Sequence, residues 1–121
     1  MTTGNLTGRR ILVVEDSPLI AAVLEDMLTD LGCKVVGPTG NIAFAVELAG
    51  REEMDAAVID LNIRGGKVYP VADVLIGRGI PFLIASGYAD WTMREDLQHR
   101  PRVTKPFAQE VLKQQLLTLL G

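Results

Sequence analysis

Five polar side chains in this 121-residue chain stand where strand-like apolar runs end. Glu15 and Asp16 follow the first run, Asp60 and Ser86 each close a later one, and Lys105 follows the last. A carboxylate at the end of a buried strand is costly unless its charge has a use there. In an open α/β sheet the carboxyl ends of the strands share one edge, and ligands bind outside that edge. We therefore expect these five side chains to form one site.

The acidic members of this set predict a metal site. Glu15, Asp16 and Asp60 would place three carboxylates at one edge, where they repel one another unless a cation is present. A hard divalent cation with oxygen ligands fits such a site, and Mg²⁺ is the expected ion. Asp16 and Asp60 are expected to bind it directly, and Glu15 through water. The main-chain carbonyl of Asn62, two residues after Asp60, is placed to be a further ligand.

The remaining members indicate phosphoryl chemistry at Asp60. Phosphoryl transfer requires mainly positioning and charge neutralisation from a protein. Asp60 is the expected nucleophile, and Lys105 is expected to neutralise a phosphoryl oxygen as a point charge. The Ser86 hydroxyl is expected to donate a hydrogen bond to another phosphoryl oxygen. Taken alone, Ser86 would more often be a turn residue and Lys105 a solvated surface lysine. Their joint placement with the acidic residues favours a catalytic set.

The composition indicates one globular domain, expected to span residues 1–121 with residues 1–8 as a flexible lead. Hydrophobic residues make up 48% of the chain and charged residues 22%, which are globular values. A net charge of −3 offers no bulk attraction to nucleic acid. The single Cys33 excludes an internal disulfide. Neither a signal peptide nor an apolar run of about 18 residues is found, so we expect a cytoplasmic protein that binds no membrane.

Apolar patterning alternates between strand and helix along the chain. Strands are predicted at 10–14, 33–36, 56–60, 82–86 and 103–104. Helices are predicted at 18–31, 42–49, 70–78, 90–98 and 107–120. Gly37-Pro38 is expected to close the second strand, and residues 61–69 are expected to form a loop. Continuous Val/Ile/Leu runs indicate strands buried on both faces. With right-handed crossovers they predict a flavodoxin-like (βα)5 doubly wound parallel sheet in a three-layer sandwich.

The motifs at the strand ends resemble those of the receiver domain of two-component response regulators, over residues 10–120. The motifs that carry this resemblance are Glu15-Asp16, Asp60, Ser86 and Lys105-Pro106-Phe107. The resemblance implies a signalling module that a histidine kinase phosphorylates on Asp60 with Mg²⁺. It implies that the module catalyses only its own phosphorylation and dephosphorylation, and that it signals through protein contacts. It also implies a cis peptide bond before Pro106.

The sequence departs from the usual receiver pattern in two places, and these differences indicate a subfamily. Arg102 stands three residues before the lysine, where most receivers have an aromatic switch residue. The segment 61–70 lacks the usual Pro-x-x-Asp-Gly pattern, and a Ser86-Gly87-Tyr88 motif ends the fourth strand. These features resemble the alphaproteobacterial FAT GUY receivers, although Ser86 stands where threonine is usual. That resemblance implies a histidine kinase of the HWE/HisKA2 type, or a phosphotransfer protein, as partner. Without the aromatic switch, we expect residues 87–97 to carry the response.

Other functions fit the residues less well. The alternative within the family is a receiver domain from a hybrid histidine kinase. We expect a stand-alone receiver, monomeric or weakly dimeric, because the final helix uses the residues after Lys105 and leaves none for an effector domain. A haloacid-dehalogenase-type phosphatase also uses an aspartate nucleophile, but Asp60-Leu61-Asn62 lacks the second aspartate of its Asp-x-Asp pattern. A flavodoxin would need a phosphate loop where Glu15 and Asp16 would repel a phosphate.

Overall fold

The computed structural model describes residues 5–63, 66–87 and 94–120. The strands are β1 (Arg10–Val14), β2 (Lys34–Thr39), β3 (Ala56–Asp60), β4 (Asn62–Ile63), β5 (Gly66–Lys67), β6 (Phe82–Ser86) and β7 (Arg102–Thr104). The helices are α1 (Pro18–Asp30), α2 (Ile42–Arg51), α3 (Tyr69–Arg78) and α4 (Gln109–Leu120), with a 3₁₀ turn at Glu95–Leu97. No helix among these residues is long and apolar enough to cross a membrane.

Five of the strands form one parallel sheet in the order β2-β1-β3-β6-β7. Side chains of α2 and α3 form one core with one face of the sheet, and those of α1 and α4 form a second core with the other face. β3 and β6 are buried along their whole length, which explains their unbroken apolar sequences. The predicted flavodoxin-like three-layer fold is confirmed.

Local sequence signals set the helix boundaries. At the start of α1 the Ser17 hydroxyl accepts a hydrogen bond from the Ile20 N–H at 3.3 Å, and at the start of α2 Asn41 Oδ1 accepts one from the Phe44 N–H at 2.8 Å. Both side chains satisfy donors that the first turn of a helix leaves without partners. Gly79 ends α3 in the left-handed region at φ 70°, where glycine carries no steric cost.

The second strand is longer than the sequence predicted. Val36 lies opposite Leu12 and Thr39 opposite Val14, so β2 contains a bulge at Gly37 and Pro38 and then rejoins β1. Gly37 adopts φ 92°, and a bulge tolerates a proline because the extra residue needs no ladder hydrogen bond. The prediction that Gly37-Pro38 ends the strand is therefore wrong. As a result, β2 extends as far as the edge at which Glu15 follows β1.

Two further predictions differ from the structure. The expected loop at 61–69 contains an antiparallel pairing of β4 with β5, and α3 already begins at Tyr69. Of the helix predicted at 90–98, residues 90–93 lie outside the described residues, and the described part contains only the turn Glu95–Leu97. A short 3₁₀ turn is what sparse apolar residues allow, and here Leu97 alone is buried.

Residues 5–8, which the sequence assigned to a flexible lead, pack against the fold. Leu6 is buried in the core beneath α1 and α4. The Gly8 N–H donates to the Gly32 carbonyl at 2.8 Å. A single leucine in a polar segment gave no periodic signal, so the sequence pattern could not reveal this anchor.

Candidate functional site

The predicted site residues meet at the carboxyl edge of the sheet. Val14 lies opposite Ile59 in the register of β1 and β3, which brings Glu15 level with Asp60. Asp60 in turn lies opposite Ala85 of β6. Ser86 and Lys105 lie beside each other at the ends of β6 and β7, because the Lys105 N–H donates to the Ser86 carbonyl at 2.8 Å.

Lys105 links the two buried carboxylates of the site. Its Nζ lies 2.8 Å from Glu15 Oε1 and 2.9 Å from Asp60 Oδ2. Burial alone would lower the pKa of the lysine, but the hydrogen bonds and charges of Glu15 and Asp60 outweigh it and raise this pKa above its ordinary value. Lys105 is therefore a fixed positive charge at neutral pH. The predicted cis peptide bond between Lys105 and Pro106 is also present.

Glu15 is held by contacts on three sides. Its Oε1 accepts from Lys105, and its Oε2 accepts from the Ser17 N–H at 3.1 Å. Its own N–H donates to the Thr39 carbonyl at 2.9 Å. Both carboxylate oxygens of Glu15 therefore accept hydrogen bonds from the protein, and its expected role as a metal ligand acting through water stays a prediction.

Three carboxylates gather at the site as predicted. Oxygens of Glu15, Asp16 and Asp60 all lie within 4.8 Å of one another. The Lys105 ammonium offsets one of these three negative charges. The three carboxylates and the lysine together therefore carry a formal net charge of −2. Asp16 is half-buried, in contrast to buried Glu15 and Asp60, so that side of the group faces solvent. This donor set fits a hard divalent cation that keeps some of its waters.

The structure places the other predicted residues but leaves their roles as predictions. Ser86 is buried at the end of β6, at the same edge as Asp60. Asn62 begins β4, two residues beyond Asp60. Of the segment 87–97, residues 88–93 lie outside the described residues. Arg102 is exposed on the edge strand β7.

The turn between β2 and α2 is a part of the site that the sequence analysis missed. A cavity of about 340 Å³ lies beside the acidic pair and is lined in part by Pro38, Thr39 and Gly40. The turn reaches this position only because β2 continues past its bulge. The sequence signal was the small residues Thr39 and Gly40 directly before the α2 cap, which become meaningful once the register is known.

With this fold and this acidic edge, the chain belongs to the response regulator receiver domain family, whose sequence profile matches residues 11–117. Membership places the chain in two-component signalling and implies a histidine kinase as partner. Receiver domains typically catalyse only their own phosphorylation chemistry. The resemblance stated from the sequence is therefore confirmed at the level of the family.

Several solved structures are similar to this one over nearly its whole length. SdrG from Sphingomonas melonis Fr1 is 40% identical, with a TM-score of 0.82 and full coverage of both chains. A second SdrG structure shows a BeF3-activated conformation, with a TM-score of 0.79. The receiver domain of the sensor histidine kinase PA1611 from Pseudomonas aeruginosa PAO1 is 28% identical, covers 95% of this chain and 99% of its own, and has a TM-score of 0.83. That structure has a magnesium ion coordinated in its active-site cleft.

Curated relatives are longer than this chain. The transcriptional regulatory protein PdtaR from Mycobacterium tuberculosis is 29% identical over 108 residues, which is 83% of this chain and 51% of PdtaR. The chain thus spans about half the length of this relative.

Proposed function

We propose that this chain accepts a phosphoryl group from a histidine kinase on Asp60, with Mg²⁺ bound by Glu15, Asp16, Asp60 and the Asn62 carbonyl, and then signals through protein contacts. The observation that carries the proposal is the contact of Lys105 Nζ with both Glu15 and Asp60, beside a third carboxylate. An ion pair alone would not need that third carboxylate, which adds negative charge to the group. A site for a divalent cation and a phosphoryl group needs both signs of charge.

The chemistry follows from the side chains at this edge. A carboxylate oxygen of Asp60 attacks the phosphorus of a phosphohistidine, the P–N bond breaks, and its electron pair returns to the imidazole nitrogen. In this proposal Lys105 binds one phosphoryl oxygen, and the Ser86 hydroxyl donates a hydrogen bond to another. Mg²⁺ held by the carboxylates would supply positive charge that offsets the negative charge of the phosphoryl group. In the later hydrolysis, a water molecule attacks phosphorus, the P–O bond to Asp60 breaks with its electron pair returning to the carboxylate, and inorganic phosphate leaves.

The relatives support this reading of the site. The BeF3-activated SdrG and the magnesium-bound PA1611 receiver each have a feature that the proposal assigns to this chain. The chain is similar along its length both to SdrG and to the receiver domain of a sensor histidine kinase, so the proposal includes a stand-alone receiver and, as its alternative, a receiver domain within a hybrid histidine kinase. The Ser86-Gly87-Tyr88 motif favours a donor of the HWE/HisKA2 type.

Asp60→Asn is expected to abolish phosphorylation, because the amide nitrogen removes the nucleophilic oxygen charge while keeping the shape of the side chain. Incubation with acetyl phosphate and Mg²⁺ should add one phosphoryl group to the wild type, as read by intact mass. Asp73→Asn removes an exposed carboxylate of α3 and should react like the wild type. An unmodified wild type, or a modified Asp60→Asn protein, would contradict the assignment.

The donor is expected to bind an apolar groove between α1 and the segment that joins β7 to α4. This groove has a volume of about 390 Å³ and is lined by Leu19, Val23, Phe107 and also Lys105. Leu19 is 75% exposed, and Lys105 joins the groove directly to the acceptor site. α1 carries the carboxylates of Asp26 and Asp30 and no basic residue, whereas its third carboxylate, Glu25, lines the cavity beside the acidic pair. We therefore expect a partner helix that presents apolar side chains flanked by lysine or arginine.

Leu19→Ala is expected to slow phosphoryl transfer from a phosphorylated HWE-type kinase about tenfold, the size of a moderate interface contact. It should leave the rate with acetyl phosphate unchanged, because a small donor needs no groove. Ile76→Ala truncates an aliphatic side chain of α3 that is 37% exposed, and it serves as the control because α3 packs on the other face of the sheet. Equal transfer rates for the two variants would show that the donor binds elsewhere.

A further inference from the structure

We infer that Gly40 is a positioning residue for the metal site, because only a residue without a side chain lets the β2–α2 turn lie against Asp16. The inference rests on the proposed function, since it assumes that Asp16 binds Mg²⁺. Gly40 itself has no group that could touch a metal or a phosphoryl group. Its effect would be on where the Asp16 carboxylate lies.

The contact between Gly40 and the acidic pair is closer than any side chain permits. A Cβ added at Gly40 would lie 2.6 Å from Asp16 Cα, 2.9 Å from Asp16 Cβ and 3.2 Å from the Glu15 carbonyl oxygen. Real Cβ atoms essentially never come within 3.0 Å of another heavy atom. No change of side-chain rotamer relieves the clash, because all three atoms are main-chain atoms or a Cβ. The backbone of Gly40 lies outside the left-handed region, so the requirement is for space alone.

The turn cannot move outward without disturbing the acidic pair. The Thr39 carbonyl accepts from the Glu15 N–H at 2.9 Å, and Thr39 Oγ1 accepts from the Asn41 N–H at 3.1 Å. Asn41 in turn caps α2. A methyl group at position 40 would therefore either push Asp16 away directly, or shift the turn and pull on Glu15 through Thr39. Both responses displace the carboxylates that face the cation.

Such a displacement matters for Mg²⁺ more than for most ligands. Mg²⁺ requires nearly ideal octahedral geometry at short oxygen distances. Changes to groups that orient metal ligands lower metal affinity about 10- to 100-fold. We therefore expect the dissociation constant of Mg²⁺ to rise about tenfold or more in Gly40→Ala.

Magnesium titrations of matched glycine variants test the inference. Gly50→Ala is the control, because its new Cβ would meet only Val74 Cγ1, at 3.9 Å. Binding is read as the Mg²⁺-dependent rise in melting temperature above that of the metal-free protein, which mass action relates to the dissociation constant. Gly40→Ala should need about tenfold more Mg²⁺ for the same rise, and Gly50→Ala should match the wild type.

A kinetic measurement separates positioning from general damage. With acetyl phosphate, Gly40→Ala should reach the wild-type maximal rate at saturating Mg²⁺, with only the half-saturating Mg²⁺ concentration raised. A rate that stays low at every Mg²⁺ concentration would overturn the inference. If Gly40→Ala does not fold, Thr39→Val, which removes the Oγ1 contact to the Asn41 N–H without adding a clash, must still weaken Mg²⁺ binding.

Failure of the inference and failure of the proposed metal site are distinguishable. If Mg²⁺ does not stabilise the wild type, or stabilises Asp16→Asn equally, the proposed metal site is wrong. If the wild type responds, Asp16→Asn does not, and Gly40→Ala binds Mg²⁺ like Gly50→Ala, then only the role of Gly40 is wrong.

Discussion

A Lys105→Met variant is expected to accept a phosphoryl group on Asp60 at least about 100-fold more slowly than the wild type, the usual cost of removing one charge-stabilising donor. It is also expected to unfold more easily. Glu15 and Asp60 would then face each other without the ammonium that now lies 2.8 and 2.9 Å from them. We expect the free energy of unfolding to fall by about 2 kcal/mol. This loss is below the range for breaking a fully buried pair, because the lysine side chain is still 19% exposed.

Magnesium and pH distinguish this loss of charge from a simple packing defect. Mg²⁺ should stabilise Lys105→Met more than the wild type, because the cation replaces the missing positive charge. The pKa of Lys105 is raised in the folded state, so its contribution to stability is fully present below the ordinary lysine pKa of 10.5. That contribution is lost as the pH rises through the higher folded-state pKa. The difference in unfolding free energy between wild type and variant should therefore be constant to about pH 10 and shrink above it.

Denaturant unfolding at several pH values, with and without Mg²⁺, measures these quantities. Lys34→Met removes the same charge from an exposed position of β2 and is the control. If Lys34→Met loses as much stability as Lys105→Met, the contacts with Glu15 and Asp60 do not stabilise the fold.

Leu97→Ala is expected to destabilise the fold by about 2–4 kcal/mol, through lost burial and the cavity left behind. Leu97 is 1% exposed and packs in the core formed with α2 and α3. The other contacts of its turn lie nearer the surface: the Arg94 guanidinium pairs with Asp73 and Asp96. These two hydrogen bonds raise the pKa of Arg94. Exposed pairs of this kind contribute about 0–1 kcal/mol, so Leu97 and not Arg94 should hold the turn.

Chemical denaturation of three variants decides between these contacts. Leu19→Ala makes the same truncation at a side chain that is 75% exposed and should change stability by less than about 0.5 kcal/mol. The change in stability caused by Arg94→Met should be close to that caused by Leu19→Ala. A loss in Arg94→Met as large as that in Leu97→Ala would mean that the ion pairs, and not the buried leucine, anchor the turn.

The sheet and the site residues could be predicted from the sequence because both depend on local signals. The runs ending at Asp60 and Ser86 are apolar throughout, since β3 and β6 are buried on both faces. A parallel sheet then brings the strand ends to one edge, so the residues that end them must converge. The gathering of Glu15, Asp16, Asp60 and Lys105 needed no further information.

The features that the sequence did not predict depend on contacts between distant segments. Gly37 and Pro38 normally end strands, and only pairing with β1 shows that they form a bulge within β2. Leu6 stands alone in a polar stretch, and its burial depends on the core beneath α1 and α4. The closeness of Gly40 to Asp16 is likewise invisible until β1 and β2 are placed side by side.

The contacts of Lys105 also bear on how the chain folds. Lys105 and Glu15 are 90 residues apart in the chain, and Lys105 and Asp60 are 45 apart. Contacts of such long sequence separation form late and slowly compared with those inside helices or hairpins. A chain still being synthesised can place Glu15 beside Asp60 before the ribosome has released Lys105. Under the proposed function, rapid phosphorylation of Asp60 therefore requires that β7 has joined the sheet, because only then does Lys105 contact Asp60.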